Sequence, residues 1–137
     1  MKLTKALLAG AAAGLLSLAL GACQSVPKTI PQGLTAQQLV LKAQEESDAS
    51  NYKASLMYYQ ALIDRYGSDP AFLCEGEYEL AFIAYKEGRL ADSKAGFEKL
   101  LAIYSGPNGD SLPQGYKILG QKILAHVEEL IARQKRP

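Results

Sequence analysis

The chain repeats itself at an offset of 38 residues. Ala43 meets Ala81, Ser55 meets Ser93, Tyr59 meets Phe97, Leu62 meets Leu100, Ile63 meets Leu101 and Tyr66 meets Tyr104. A period of this size restricts the fold sharply. Each copy is one supersecondary unit too small to bury its own apolar face, so neighbouring copies must stack. Within the copies the apolar positions recur at helical spacing: Tyr52, Leu56, Tyr59, Leu62, Ile63 and Tyr66, then Leu90, Phe97, Leu100, Leu101 and Tyr104.

The punctuation is helical as well. Thr35 is an N-cap with Gln38 three residues on as its capping-box partner, and that helix runs to about Ala49. Ser50-Asn51 breaks it. Gly67-Ser68-Asp69-Pro70 is a stop, a cap and a helix-starting proline. Tyr78, Ala81, Phe82 and Tyr85 mark a third helix that ends at Gly88, and Leu90 to Tyr104 forms a fourth. Ser105 to Leu112 is a loop, in which Gly106-Pro107-Asn108-Gly109 fits turn geometry and lacks the Lys-Ser/Thr of a phosphate loop. Pro113 opens a last helix with one broad apolar stripe: Tyr116, Leu119, Gly120, Ile123, Leu124, Val127, Leu130 and Ile131. The expectation is an all-α domain over 35–134: two helical hairpins plus a long C-terminal capping helix.

Residues 1–22 form an address and not part of that domain. Lys2 and Lys5 precede an uncharged Ala/Leu-rich run from Ala6 to Ala22, which ends in Leu20-Gly21-Ala22-Cys23. This resembles the bacterial lipobox. The resemblance implies cleavage before Cys23 and acylation of that cysteine, palmitate-type chains included, and two or more such chains give stable anchoring. Gln24 stands where an aspartate would retain an enteric-type lipoprotein in the inner membrane, which implies the periplasmic face of the outer membrane. Residues 23–34 then read as the lipidated N-terminus and a tether. Pro27, Pro31 and Gly33 lie in it, and a semi-extended run of this length would hold the domain roughly 30 Å from the lipid. Loss of Lys2 and Lys5 from 15 basic residues, against 14 acidic ones, takes the mature chain to about −1. Neither nucleic acid nor anionic lipid finds an electrostatic footprint there.

The run Tyr78-Glu-Leu-Ala-Phe-Ile-Ala-Tyr-Lys-Glu-Gly-Arg-Leu-Ala-Asp-Ser-Lys-Ala-Gly-Phe-Glu-Lys-Leu-Leu101 resembles the tetratricopeptide repeat. Leu80 and Ala81 stand at its Leu-small positions, Gly88 at its turn glycine, and Ser93, Phe97 and Leu100 at the small, aromatic and Ala-like positions of the second helix. Ser50 stands at the turn glycine of the first copy. Asn51-Tyr52 followed by Ala61-Leu62-Ile63-Asp64-Arg65-Tyr66 resembles the repeat type of outer-membrane assembly (BamD-like) lipoproteins, although that group carries about five repeats.

Catalytic machinery is absent from this pattern, and no cofactor or metal is called for. His126 is the single histidine and lies beside the apolar stripe. Glu75, Glu77 and Glu79 alternate along a helix and read as pointing to different faces. Glu45, Glu46 and Asp48 read as a solvated edge. Once Cys23 is acylated, Cys74 has no partner and reads as a small buried hydrophobe.

Recognition remains. By the resemblance, the first helix of each hairpin lines a concave groove: Tyr78, Phe82 and Tyr85 from the best-defined copy, Val40, Gln44 and Ser47 from the copy before it, Lys117 and Gln121 from the last helix. Tyr85 would lie at the open end of the row, where the last helix covers least. The aromatic row is either a groove for a peptide or core beneath the last helix. Val40 and Gln44 do not supply the Lys and Asn of a carboxylate clamp, which argues against capture of a free C-terminus. The functional expectation is a protein-protein interaction scaffold in an envelope assembly. The alternative is a binding protein for a small ligand or solute receptor in transport.

Overall fold

The computed structural model describes residues 25–136; the leader and Cys23 lie outside the described residues. Five α-helices follow one another: α1 (Ala36–Asp48), α2 (Tyr52–Tyr66), α3 (Pro70–Lys86), α4 (Leu90–Tyr104) and α5 (Gln114–Gln134), with a 3-10 turn, Gly109–Ser111, before the last. No strand occurs among the described residues. Helices α1 and α2 form one antiparallel hairpin and α3 and α4 a second. Helix α2 packs on α3, and α5 lies across α4 with a lighter contact to α3.

The ends of the helices are where local chemistry puts them. The Thr35 hydroxyl accepts from the Gln38 N–H at 3.3 Å, and the Thr35 N–H donates to the Gln38 side chain at 2.9 Å. Asp69 caps α3 by accepting from the Ala71 N–H, ahead of Pro70 at the first helical position. The two hairpin turns are copies of each other. Asn51 N–H donates to Glu46 C=O and Ser50 N–H to Ser47 C=O; 38 residues later Arg89 N–H donates to Ala84 C=O and Gly88 N–H to Tyr85 C=O. The left-handed residue is Gly88 in the second turn (φ 73°) and Ser50 in the first (φ 59°). A β-carbon makes that conformation costly, so the first turn holds Ser50 by added bonds. Asn51 Nδ2 donates to Glu46 Oε2 at 2.6 Å and to Ser25 C=O. Glu46 is therefore a turn brace and not part of a solvated edge.

Two apolar clusters carry the packing. Leu39, Ala43, Tyr58, Tyr59, Leu62 and Ile83 make the first, around α1, α2 and the end of α3. Cys74, Tyr78, Ala81, Phe97, Leu100, Tyr104 and Leu112 make the second, with Tyr116, Ile123 and Leu124 of α5 against it. Tyr59 and Phe97 are both fully buried, at matching places in the two clusters. Helices α3 and α4 are in close contact where Gly96 faces Ala81: a β-carbon on Gly96 would stand 2.7 Å from that of Ala81.

The tether departs from the expectation. Instead of a free spacer, residues 25–34 lie along α2. Arg65 donates to the carbonyls of Pro31 at 2.6 Å and Ile30 at 3.0 Å, and Tyr66 OH donates to Leu34 C=O at 2.8 Å. Ile30 and Leu34 pack onto the first cluster. Proline spacing fixed an extended backbone. It did not reveal that three long-range polar side chains would hold that backbone against the domain.

Candidate functional site

Helix α3 packs against α2 and α4 and is met by α5, and one of its faces is aromatic and acidic. Its register places Glu75, Tyr78, Glu79, Phe82 and Lys86 along one stripe. The rings run as a ladder. Tyr78 stacks on Phe82 with centroids 5.8 Å apart, and Phe82 stacks on Tyr85 at 6.0 Å. Helix α5 meets the ladder at both ends, through Tyr116 against Tyr78 at 5.5 Å and His126 edge-on to Tyr85 at 5.9 Å. Tyr78 is buried and also touches Phe97 of the core at 5.8 Å, whereas Phe82 and Tyr85 are half-buried. The row thus changes from core to surface along its length. Beyond Tyr85 opens a cleft of about 640 Å³, lined by Tyr85, Lys86, Gly88, Leu90, Leu130, Arg133 and Gln134. Its α5 residues show that the last helix reaches past Tyr85, so Tyr85 is a wall of a trough and not a free end.

Helix α1 supplies the opposite wall with Gln44, Ser47 and Asp48, which face Glu79 and Lys86 across a polar notch of about 290 Å³. Lys86 Nζ donates to Ser47 Oγ at 3.2 Å and lies over the rings of Tyr52, at 5.2 Å, and Phe82, at 5.6 Å. Val40, one turn before Gln44, shares that face, but its side chain packs onto the first cluster. Lys117 and Gln121 do not belong to the groove. Lys117 sits 6.0 Å over the Tyr104 ring of α4, and Gln121, one turn on, shares that side and is exposed. Gly120 seats α5 against Leu100 and Phe97, turning Tyr116 and His126 toward α3 in their place. The repeat offset itself pairs Tyr116 with Tyr78, so the sequence held the signal one residue away.

The acidic residues of α3 also sort differently from the alternation. Glu77 faces away from the groove, buried and paired with Lys99 at 2.7 Å. Glu75 and Glu79, four residues apart, share the groove face. Burial raises both carboxyls above the ordinary range. Glu75 raises Glu79 further, while Lys86 offsets part of it. Burial, then Glu79 and Glu75, pushes the Tyr59 phenol far up, and burial followed by the same two carboxylates holds Tyr116 at about 12.

A sign follows for stability. A carboxyl whose folded value lies above its unfolded one favours the protonated fold, so stability falls as pH rises through that interval. Glu79→Gln should raise the urea midpoint at pH 7, and the gain should vanish at about pH 4, where the unfolded carboxyl is itself largely protonated. Paired urea titrations at the two pH values check this; the same shift at both would assign the effect to packing.

His126 is exposed, with Nδ1 4.0 Å from a Glu129 carboxylate oxygen. Cys74 is fully buried in the second cluster beside Tyr104, whose hydroxyl donates to Pro113 C=O at 2.6 Å. Among the described residues no group of three or more His, Cys, Asp or Glu side chains is placed to hold a metal ion, and no helix is long and apolar enough to cross a membrane.

No protein-family model matches the chain, and no solved structure matches it. It is similar to an uncharacterized protein of Treponema pallidum (strain Nichols), 32% identical over 97 residues. That match covers 69% of this chain and 39% of the relative, so the chain spans about two fifths of the length of that protein.

Proposed function

We propose that this protein is a lipid-anchored scaffold of the tetratricopeptide type. Anchored through Cys23 on the periplasmic face of the outer membrane, it would receive a segment of an envelope partner on the aromatic face of α3. The observation that carries this reading is the ring ladder, which leaves the core at Tyr78 and reaches an open trough at Tyr85. Aromatic rings bury large apolar area at small entropic cost, and a graded row beside an open trough suits an extended or helical segment. The trough opens to solvent and does not enclose a cavity, which supports this reading over a small-solute receptor. The docked tether fits an anchored protein: Ser25, two residues after Cys23, accepts from the Asn51 side chain at the α1–α2 turn.

Tyr85→Ala tests the groove, with Glu45→Ala, an exposed change on α1, as control. The tyrosine is half-buried and its loss should cost about 1 kcal/mol of stability, leaving the fold intact. Cross-linked partner recovered from solubilised envelopes should fall at least about fivefold for Tyr85→Ala and stay unchanged for Glu45→Ala, since truncating an aromatic anchor costs about 1 kcal/mol or more. Equal recovery from the two folded variants would mean that the ladder is core and the partner binds elsewhere.

A further inference from the structure

The notch between α1 and α3 holds an unbalanced set of groups. Gln44, Ser47, Asp48, Tyr59, Glu79 and Lys86 line it. Tyr59 is 1% exposed and lines the notch, and its hydroxyl has no hydrogen-bond partner among the described residues, so what it meets is the notch itself. Asp48 and Glu79 line the notch with it, and Glu75, one turn before Glu79, lies on the same face of α3. The Tyr59 oxygen is not sealed in the core, where the unpartnered side-chain atom among the described residues is Ser93 Oγ; it keeps a path to the notch and can accept from a group that enters there.

The charges point to what would complete it. Among the described residues neither Glu75 nor Glu79 is in an ion pair, whereas Glu77, on the opposite side of the same helix, is paired with Lys99. The one cation of the notch, Lys86, is already engaged by the Ser47 hydroxyl and by the faces of Tyr52 and Phe82. Negative charge is in excess, a hydroxyl has free lone pairs, and ring faces stand beside both. An anion would meet three carboxylates, and a neutral group would leave them uncompensated.

We infer that this notch receives a cationic side chain, a lysine ammonium or an arginine guanidinium, carried by the partner segment. Its N–H groups donate to Glu79, Glu75 and the Tyr59 oxygen, while its methylene stem lies along Phe82 and Tyr78. This rests on the peptide-groove reading above and adds the charge of the segment the groove takes. Cation–π contact and charge-assisted hydrogen bonds act together at such a site.

The test is a titration of the full chain, in non-ionic detergent, followed by amide chemical shifts. The probes are butylguanidinium and butylammonium, with butylurea as the neutral isostere and acetate as the anion. The cations should shift the amides of Ser47, Tyr59 and Glu79 in the millimolar range, and butylurea and acetate should not. Glu79→Gln should weaken cation binding about tenfold, which separates loss of a ligand from loss of the fold, since that variant is expected to be the more stable at pH 7. Lys86→Met should tighten binding by removing a like charge. Equal shifts from butylurea, acetate binding abolished by Lys86→Met, or the same weakening from Glu45→Gln would each overturn the inference. Recovery of cross-linked partner unchanged by Glu79→Gln but lost by Tyr85→Ala would also overturn it, while leaving the scaffold reading standing. Recovery unchanged by Tyr85→Ala, with cation binding intact, would instead remove the ladder as the partner's groove.

Discussion

Phe97→Ala should lower the stability of the domain by about 3–5 kcal/mol, the usual range for a buried phenylalanine. The ring is fully buried where three helices meet: it lies edge-on to Tyr78 of α3 and beneath Gly120 of α5, on its own helix α4. Collapse cannot fill the space it leaves. Its ring neighbour Tyr78 is already held against Tyr116, and α3 and α4 are pinned at Gly96 and Ala81. A domain of this size has roughly 5–15 kcal/mol in total, so the loss is a large fraction of it. With urea slopes of about 1–3 kcal/mol per molar, the midpoint should fall by roughly 2 M. Tyr59→Ala should do the same in the first hairpin, where Tyr59 is the counterpart ring. Leu119→Ala, at a position 46% exposed on α5, is the control and should move the midpoint by no more than about 0.2 M. Midpoints unchanged by both ring deletions would remove the equivalence of the two hairpins as packing units.

Cys23→Ser should abolish anchoring outright. The thiol is the atom that accepts the diacylglycerol in the lipobox reading, and cleavage before residue 23 requires that step, so the variant should accumulate as an uncleaved, unacylated precursor. Each lipid methylene buried in a bilayer contributes about 0.8 kcal/mol, and several chains together make attachment stable. The hydroxyl of serine replaces none of this. Wild type should run at the size of residues 23–137, partition into the detergent phase and incorporate labelled palmitate. The variant should run some 22 residues longer and take up no label. A variant of mature size carrying labelled palmitate would end the lipoprotein reading. Uptake of label, rather than partition alone, is decisive, because the apolar leader of a precursor partitions too.

Local chemistry made most of the fold legible. The capping box at Thr35 and Gln38, the Asp69-Pro70 start, the Gly88 stop and the 38-residue offset each act over a few residues or through a strict period, and all five helices follow from them. The pairing of Tyr59 with Phe97 was legible for the same reason: a repeated unit buries repeated positions.

What failed to show in the sequence depends on long-range packing. Lys117 and Gln121 followed from treating α5 as a third hairpin helix. Its rotation is set instead by Gly120, which lets it settle on Phe97 and Leu100, and no local pattern encodes which side of a capping helix a distant glycine will choose. The tether read as free because its proline spacing reports backbone shape alone, while Arg65 and Tyr66, more than 30 residues away, decide where it lies. Alternation hid the pairing of Glu75 with Glu79, since a period of two suits strands and these residues sit on a helix. The sequence by itself determined the helices, their caps, the two hairpins and the rings that fill them, because those depend on propensity and period. Only the tertiary structure decided that Asp48, Tyr59 and Glu79 line one notch, because three helices must first pack before groups so far apart in the chain can meet.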